Sequence, residues 1–255
     1  MTATPAGMTY ADYLKLDQLL TAQQPLSNLH DEMLFIVIHQ TKELWMKQML
    51  HELELAIGLV DQDSFAPAYK ALSRVSRIQS VMTLSWDVLS TLTPVDYLAF
   101  RHVLGTSSGF QSAQFRELEY RLGIKDPAYL RHYSEETEAR ARLQTALERP
   151  SLRDAAIAAL KRAGFVVREE SVEALAEAWL EVYRDADRWF ELYQLAEKLV
   201  DLDDALAMWR HKHVLTVERI IGNKPGTGGS AGAAYLRSTL DKRIFPELWA
   251  LRTGL

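Results

Sequence analysis

The chain has 255 residues, of which 48% are hydrophobic and 25% are charged, proportions typical of a folded globular domain. Its net charge of -5 leaves no excess of lysine and arginine, which argues against nucleic acid or an anionic membrane surface as a partner. The sequence contains no cysteine, which excludes disulfides, iron–sulfur clusters and every thiolate-ligated metal centre.

The first fifteen residues contain no basic stretch followed by an apolar segment, as a secretory signal would require. No apolar run in the sequence approaches the length needed to cross a bilayer. We therefore expect a protein of the cytoplasm with no membrane partner. The length suits one domain, which we expect to span residues 1–255.

Helical periodicity dominates the sequence, so we predict an all-α fold. The first predicted elements are a short segment over residues 10–20 and a long helix over residues 29–60. Asn28 and Asp31 are candidate caps for the start of this long helix. A second long helix is predicted over residues 67–92.

A new helix is predicted to begin where Thr93 precedes Pro94 and Asp96. A threonine cap, a proline in the first turn and an acidic residue beside the helix N-terminus are typical of such a start. The run Gly-Thr-Ser-Ser-Gly at residues 105–109 should break this helix. Residues 110–122 then resume the helical pattern.

The second half of the chain predicts further helices. Residues 126–168 are polar and rich in arginine and glutamate, and we expect a peripheral helical hairpin there. Two long helices are predicted over residues 169–199 and 202–221. A loop with five glycines follows at residues 222–232, and an amphipathic stretch over residues 233–251 ends the sequence.

The seven histidines are the best candidate metal ligands, because cysteine is absent. No HExxH motif is present, so a site built on paired ligands lacks support. His211 and His213 lie about 200° apart around a helix and cannot share one ion. His213 is the inward-facing one, since its neighbours at helical spacing are Leu206, Trp209, Val217 and Ile220.

A single buried histidine has two interpretations. It can be a core residue that bonds to a carbonyl, which is the more common case. Alternatively, His213 can be the axial ligand of haem, the common cofactor that needs a single protein ligand in a helical chain without cysteine. The same choice applies to His39, which follows an apolar run with Phe35 at i−4. His39 is either a core residue held by Glu43 or a polar group that lines an apolar pocket.

Tyr97 and Arg101 are spaced i,i+4, which places a phenol and a guanidinium on one side of a mostly apolar helix. An arginine in such surroundings needs an anionic partner, because an unpaired buried charge costs about 3–5 kcal/mol. The partner can be a structural carboxylate, or it can be the carboxylate of a ligand.

The glycine-rich loop at residues 222–232 lacks the Gly-Lys-Ser/Thr ending of a P-loop. Its weak match to a dinucleotide-binding motif follows a helix, whereas that motif follows a strand. Two interpretations remain. The loop is either a flexible connector or a segment whose amides and Thr227 hydroxyl close over a small anionic or zwitterionic ligand.

Five ordered motifs resemble the tryptophan 2,3-dioxygenase family. They are FIVIHQTKELWMKQ at residues 35–48, YLAFR at 97–101, SGFQS at 108–112, WRHKH at 209–213 and GTGGS at 226–230. The stretch YADYL at residues 10–14 also matches that family. The resemblance extends from Thr9 to about Arg252 and is weakest over residues 126–168.

The resemblance implies an all-α bundle that encloses haem b, ferrous in its active form, with His213 as the axial ligand of the iron. It implies a dioxygenase that uses O2 to cleave the C2–C3 bond of the indole ring of L-tryptophan. The product would be N-formyl-L-kynurenine, in the first step of tryptophan catabolism by the kynurenine pathway. The haem would supply the oxygen chemistry and the protein the orientation.

The resemblance also implies roles for the substrate site. His39 would hydrogen-bond the indole N–H as a catalytic residue, and Phe35 would shape the indole pocket. Arg101 and Thr227 would hold the substrate carboxylate, with Thr227 also near the ammonium. The other implied site residues are Tyr97, which would steady Arg101, Ser108 and Gly109, which would lie near the bound gas, and Tyr13 and Leu14.

Tyr13 and Leu14 are implied to reach the pocket of a neighbouring subunit in a homotetramer. The sequence departs from the family at Lys42, where an uncharged residue is usual, and at His211, where an aromatic residue is usual. Neither departure falls on a matched functional position. The alternatives are a related haem dioxygenase for another indole and a non-catalytic helical protein that binds haem or another ligand.

Overall fold

The computed structural model describes residues 7–255, and the elements in this part of the chain are all helical, as predicted. The α-helices are α1 Tyr10–Leu14, α2 Leu16–Leu19, α3 His30–Asp61, α4 Phe65–Leu89, α5 Pro94–Phe100, α6 Ala113–Leu122, α7 Glu138–Glu148, α8 Leu152–Arg162, α9 Val172–Arg184, α10 Phe190–Ile221, α11 Ala233–Arg237 and α12 Pro246–Ala250. Short 3₁₀ helices cover Arg101–Leu104, Gly109–Gln111, Pro127–His132 and Leu251–Gly254.

Three long helices form the centre of the molecule. Helix α4 packs against both α3 and α10. The short helix α5 also contacts α3 and α10. Their facing sides are apolar and fully buried, with Met49 and Leu53 on α3, Leu72 and Val75 on α4, and Leu199 on α10. Burying each such side chain contributes about 1.5–3 kcal/mol, so the apolar faces hold the three helices together.

The helix starts were predicted with mixed success. Thr93 caps α5 and accepts a hydrogen bond from the backbone N–H of Asp96, as predicted. The predicted caps of α3 are wrong, because its N-cap is Leu29 and no side chain caps it. Instead the buried carboxylate of Glu32 accepts hydrogen bonds from the backbone N–H groups of the two residues 26 and 27, at 2.7 and 2.8 Å.

The predicted boundary between the two late helices is also wrong. Helix α10 runs without interruption through residues 199–202, and the break lies earlier, at residues 185–189. No glycine or proline marks this break in the sequence. The indole of Trp189 packs against Phe165, with ring centroids 4.9 Å apart, so a tertiary contact holds the chain at the turn.

Residues 126–168 do contain two helices, α7 and α8, but they are not both peripheral. Helix α8 packs on α3 and carries Leu152, Ala156 and Leu160 into the main core. Helix α7 instead buries Leu143 in a small separate cluster against α6. Small apolar and charged residues alternate along α8, so its buried face could not be predicted from composition alone.

The predicted amphipathic stretch over residues 233–251 is two short helices with a non-helical segment between them. The buried carboxylate of Asp203 on α10 fixes this segment. It accepts hydrogen bonds from the backbone N–H groups of Ile244 and Phe245 and from the indole N–H of Trp249, all at 3.0–3.1 Å. Pro246 then starts α12, because its fixed φ suits the first turn of a helix.

The N-terminal segment predicted over residues 10–20 consists of α1 and α2, which Lys15 separates in a left-handed conformation. Residues 1–6, which belong to the predicted N-terminal segment 1–20, lie outside the described residues. Among the described helices, none combines the length and the apolar character that a membrane span requires.

Candidate functional site

A cavity of about 490 Å³ lies between α3, α4, α10 and the segments 107–119 and 226–239. This volume falls within the range of small-molecule and cofactor sites, about 300–1,000 Å³. Most of the predicted site residues line this cavity, namely Phe35, His39, Tyr97, Ser108, Gly109, His213 and Thr227. The fold therefore gathers residues that are up to 192 positions apart in the sequence around one space.

His213 faces this cavity from α10, whereas His211 is exposed on the opposite side of the helix. The imidazole of His213 stacks on Trp86, with ring centroids 4.4 Å apart and planes inclined by 12°. It also packs against Trp209 at 5.2 Å. Burial lowers the pKa of His213 to about 3, so the ring is neutral at physiological pH. A neutral imidazole is the form that binds metals.

The surroundings of His213 suit a ligand better than a core histidine. A core histidine bonds to a carbonyl, as His39 does through Nδ1 at 2.7 Å; the exposed His211 also bonds to a carbonyl, at 3.1 Å. No hydrogen bond contributes to the pKa of His213, which is lowered by burial first and then by Lys42 and His39. Within residues 7–255 no group of three His, Cys, Asp or Glu side chains could hold a metal ion. A cofactor that needs one imidazole, such as haem, therefore fits this cavity.

His39 lines the same cavity beside Phe35, with ring centroids 4.2 Å apart. Its Nδ1 lies 2.7 Å from the carbonyl oxygen of Phe35, which can only accept a hydrogen bond. Nδ1 therefore carries the proton and Nε2 is left as an acceptor. Burial lowers the pKa of His39 to about 4, so this neutral form persists at physiological pH. The expected partner Glu43 bonds to Gln114 instead.

Three aromatic rings form one wall near His39. Phe35 packs against Tyr97 at 5.9 Å and against Phe100 at 5.8 Å, and the last two rings meet edge to face at 5.5 Å. Phe100 is fully buried, and Tyr97 is 8% exposed. Burial raises the pKa of the Tyr97 phenol, although the guanidinium of Arg101 opposes this shift. An apolar wall of this kind suits a flat aromatic ligand.

Arg101 is not among the residues that line the cavity, although Pro225, to which it bonds, directly precedes the lining residue Gly226. Its guanidinium donates a hydrogen bond to the backbone carbonyl of Pro225 in the glycine-rich loop. Within residues 7–255 its guanidinium forms no ion pair with a carboxylate, so the structural Asp or Glu that we considered is not found. The charge of Arg101 is therefore available for a ligand anion.

The glycine-rich loop packs on the segment 105–109 and is not a free connector in this conformation. The Thr227 hydroxyl donates a hydrogen bond to the carbonyl of Ser107. Gly228 approaches Ser108 so closely that a Cβ at residue 228 would lie 2.7 Å from the Ser108 Cβ. Ser108 in turn caps the short helix Gly109–Gln111. The loop and the cap thus form one side of the cavity.

Tyr13 and Leu14 do not approach this cavity within one chain. They lie on α1, and their side chains are 73% and 40% exposed. Their contact with a neighbouring subunit stays a prediction.

Sequence reasoning missed three groups of cavity residues. Lys42 lines the cavity and is only 5% exposed, whereas the sequence motifs place it outside the matched functional positions. Trp86 was overlooked because nothing in its local pattern distinguishes it from a core residue. A buried charge cluster was missed as well, in which Glu119 binds Arg116 at 2.6 Å and Arg210 at 2.9 Å.

The sequence is similar to known proteins over its whole length. The profile of the tryptophan 2,3-dioxygenase family matches residues 1–172 and 165–255. A tryptophan 2,3-dioxygenase of Caulobacter vibrioides is 63% identical, over 97% of this chain and 98% of that protein. Relatives of the same name from Bacillus thuringiensis and Cupriavidus necator are 54% and 53% identical, over 98% and 97% of this chain and 93% and 88% of their own lengths.

Proposed function

The chain belongs to the tryptophan 2,3-dioxygenase family, and from this membership we infer that it is a haem-dependent enzyme that cleaves tryptophan with O2. The family match covers the whole chain, and the relatives are matched over almost their full length. The resemblance noted from the motifs is thereby confirmed. We further propose that residues 1–255 form a single dioxygenase domain that acts in the cytoplasm as a homotetramer.

The observation that carries the proposed site is the imidazole of His213, which faces the cavity, stacks on Trp86 and has no hydrogen-bonded carbonyl. We propose that His213 is the axial ligand of haem b, ferrous in the active form. When bound, the haem would supply the activation of O2, which no side chain of this chain can provide. The stacked indole of Trp86 restricts the orientation of the imidazole.

His39 and Phe35 are proposed to bind the indole of L-tryptophan. The Nε2 acceptor of His39 is matched to the indole N–H, which can only donate. Phe35 and Tyr97 offer an apolar wall for the ring. Because His39 is neutral and hydrogen-bonded through Nδ1, its proposed task is to orient the C2–C3 bond, and it does not need to remove a proton.

The amino acid end of the substrate is proposed to bind where Arg101 meets the glycine-rich loop. The guanidinium would hold the carboxylate in a two-pronged contact, and the Thr227 hydroxyl would contact the carboxylate and lie near the ammonium. The guanidinium keeps further N–H donors besides the one bonded to the Pro225 carbonyl, whereas the Thr227 hydroxyl must turn from the Ser107 carbonyl to donate its one proton to the carboxylate. Ser108 and Gly109 would confine the space near the bound gas, and Tyr13 and Leu14 would complete a neighbouring subunit's site.

The proposed activity is tested by adding L-tryptophan and O2 to the reduced, haem-loaded protein. We expect oxygen-dependent growth of the absorbance of N-formyl-L-kynurenine, identified by mass, with both oxygen atoms derived from ¹⁸O2. The protein without haem should form no product. A colourless protein that cannot be loaded with haem would contradict the proposal, and faster turnover of another indole in a substrate series would change the assigned substrate.

A further inference from the structure

Lys42 is the one charged group of the described cavity lining that is buried without a partner. Its Nζ atom has no hydrogen-bond partner in the described chain, and the residue is only 5% exposed. The other charges of the lining are paired: Glu43 accepts from Gln114 at 2.8 Å, and Glu119 binds both arginines of its cluster. Burying an ammonium without a hydrogen bond or a carboxylate partner lowers the stability of the fold, so we expect Lys42 to have a function.

The ammonium of Lys42 is joined to the proposed axial ligand through one aromatic ring. Its Nζ lies 2.8 Å from the centre of the Trp86 ring, and the same ring stacks on His213. The charge is also close enough to His39 and His213 to lower the pKa of both. Lys42 therefore influences electrostatically the two groups between which the cofactor is proposed to bind.

A positive charge held in an apolar cavity favours any process that adds negative charge nearby. Reduction of ferric to ferrous haem adds one electron to this space. The interaction is reciprocal, because a cavity that gains an electron also favours the protonated amine. Burial lowers the pKa of Lys42 to about 6, so the amine carries its charge below about pH 6 and a negative charge gained nearby would extend that range upward.

We propose that Lys42 is a positioning charge for the cofactor, which acts across Trp86 and His213 to raise the reduction potential of the haem and thereby favours its ferrous form. The proposal rests on the proposed function, since it takes His213 as the axial ligand.

The test compares the midpoint potential of the haem in the holoprotein with that in Lys42→Met, Lys42→Arg and Lys47→Met, by spectroelectrochemical titration at about pH 5, below the pKa of about 6 of Lys42, so that the amine carries its charge. Lys47 lies on the same helix, is exposed, and serves as the matched control for the loss of one lysine. In Lys42→Met we expect the ratio of ferrous to ferric haem at a fixed ambient potential to fall about tenfold, which is about 59 mV for one electron.

Lys42→Arg should keep most of the potential, because it keeps the charge, and Lys47→Met should leave it unchanged. An unchanged potential in Lys42→Met, or an equal fall in Lys47→Met, would overturn the role of Lys42 and leave the haem site intact. Failure of the unmodified chain to bind haem would overturn the proposed function itself. If Lys42→Met does not retain haem, Lys42→Gln provides the same comparison with a neutral polar side chain.

Discussion

Arg101 and Pro225 are joined by a hydrogen bond from the guanidinium to the backbone carbonyl, although 124 positions separate them in the sequence. The arginine proposed to bind the substrate carboxylate thus also holds the glycine-rich loop. Substrate binding and loop position are therefore coupled, because a carboxylate that approaches this guanidinium meets a donor already fixed at the loop.

Arg101→Ala should raise the KM for L-tryptophan about tenfold to a hundredfold. The variant loses a charge-assisted hydrogen bond, which contributes about 1.5–3 kcal/mol. The haem spectrum should stay unchanged, since Arg101 does not line the cavity. Steady-state kinetics and the Soret band give the two measurements. Arg77→Ala, on the exposed side of α4, is the matched control. Loss of haem in Arg101→Ala would instead make the residue structural.

His213→Gly should lose stable haem and all turnover, and added imidazole should restore haem binding. The glycine leaves a space beside Trp86 in which a free imidazole can take the place of the missing side chain. Haem titration followed at the Soret band measures this. His211→Gly removes the exposed neighbour and should bind haem normally. Normal haem binding by His213→Gly without imidazole would rule out the proposed axial ligand.

The fold class and most helix positions could be predicted from periodicity, because α3, α4 and α5 carry their signals locally. Thr93 and Pro94, for example, mark the start of α5 in the sequence itself. The break before α10 could not be predicted, since it depends on the contact between Trp189 and Phe165. The non-helical segment before α12 depends on Asp203, some forty residues earlier.

The site was only partly predictable for the same reason. The inward direction of His213 follows from its apolar neighbours at helical spacing, and the structure agrees. The partner of His39 does not follow from spacing, because the backbone carbonyl of Phe35 competes with the side chain of Glu43. The burial of Lys42 could not be deduced either, since charged residues on helices are usually solvated.

His39→Ala should lower kcat/KM for L-tryptophan about twofold to tenfold, which corresponds to the free energy of one hydrogen bond between neutral groups. 1-Methyltryptophan, which lacks the N–H donor, separates this effect from general damage. The unmodified enzyme should prefer L-tryptophan over the methylated substrate more strongly than His39→Ala does. Because the pKa of His39 is about 4, this preference should not vary between about pH 6 and 8. An equal preference for L-tryptophan over the methylated substrate in both proteins would argue against the contact between His39 and the indole N–H.

The stability of the haem-free chain should rise with pH between about 6 and 10.5, because of Lys42. Its pKa of about 6 in the folded chain lies below the ordinary value of 10.5, so in this interval the unfolded chain binds a proton that the folded chain lacks. Each pH unit contributes at most about 1.4 kcal/mol to the free energy of unfolding. Urea unfolding near pH 7 and pH 9 measures the slope, which Lys42→Met should reduce and Lys47→Met should retain. Equal slopes in all three proteins would contradict a buried, proton-poor Lys42.

Gly228→Ala should weaken tryptophan binding by displacing the loop. The new Cβ would lie 2.7 Å from the Cβ of Ser108, which belongs to a capped turn and cannot easily move. Relief of this overlap would separate Thr227 from the carbonyl of Ser107 and cost about 1–3 kcal/mol, so KM should rise about tenfold. Haem content should not change, because His213 lies on another element. Limited proteolysis within the loop should become faster.

Two further variants separate the loop contact from a general effect of alanine. Gly58→Ala on α3 meets no atom within 4 Å and should, if anything, stabilise the helix, with no change in KM. Ser108→Gly combined with Gly228→Ala removes the atom responsible for the overlap and should slow proteolysis of the loop again. If the double variant is cleaved as fast as Gly228→Ala alone, the contact between residues 108 and 228 does not hold the loop. The position of the loop beside the substrate site would then need another origin.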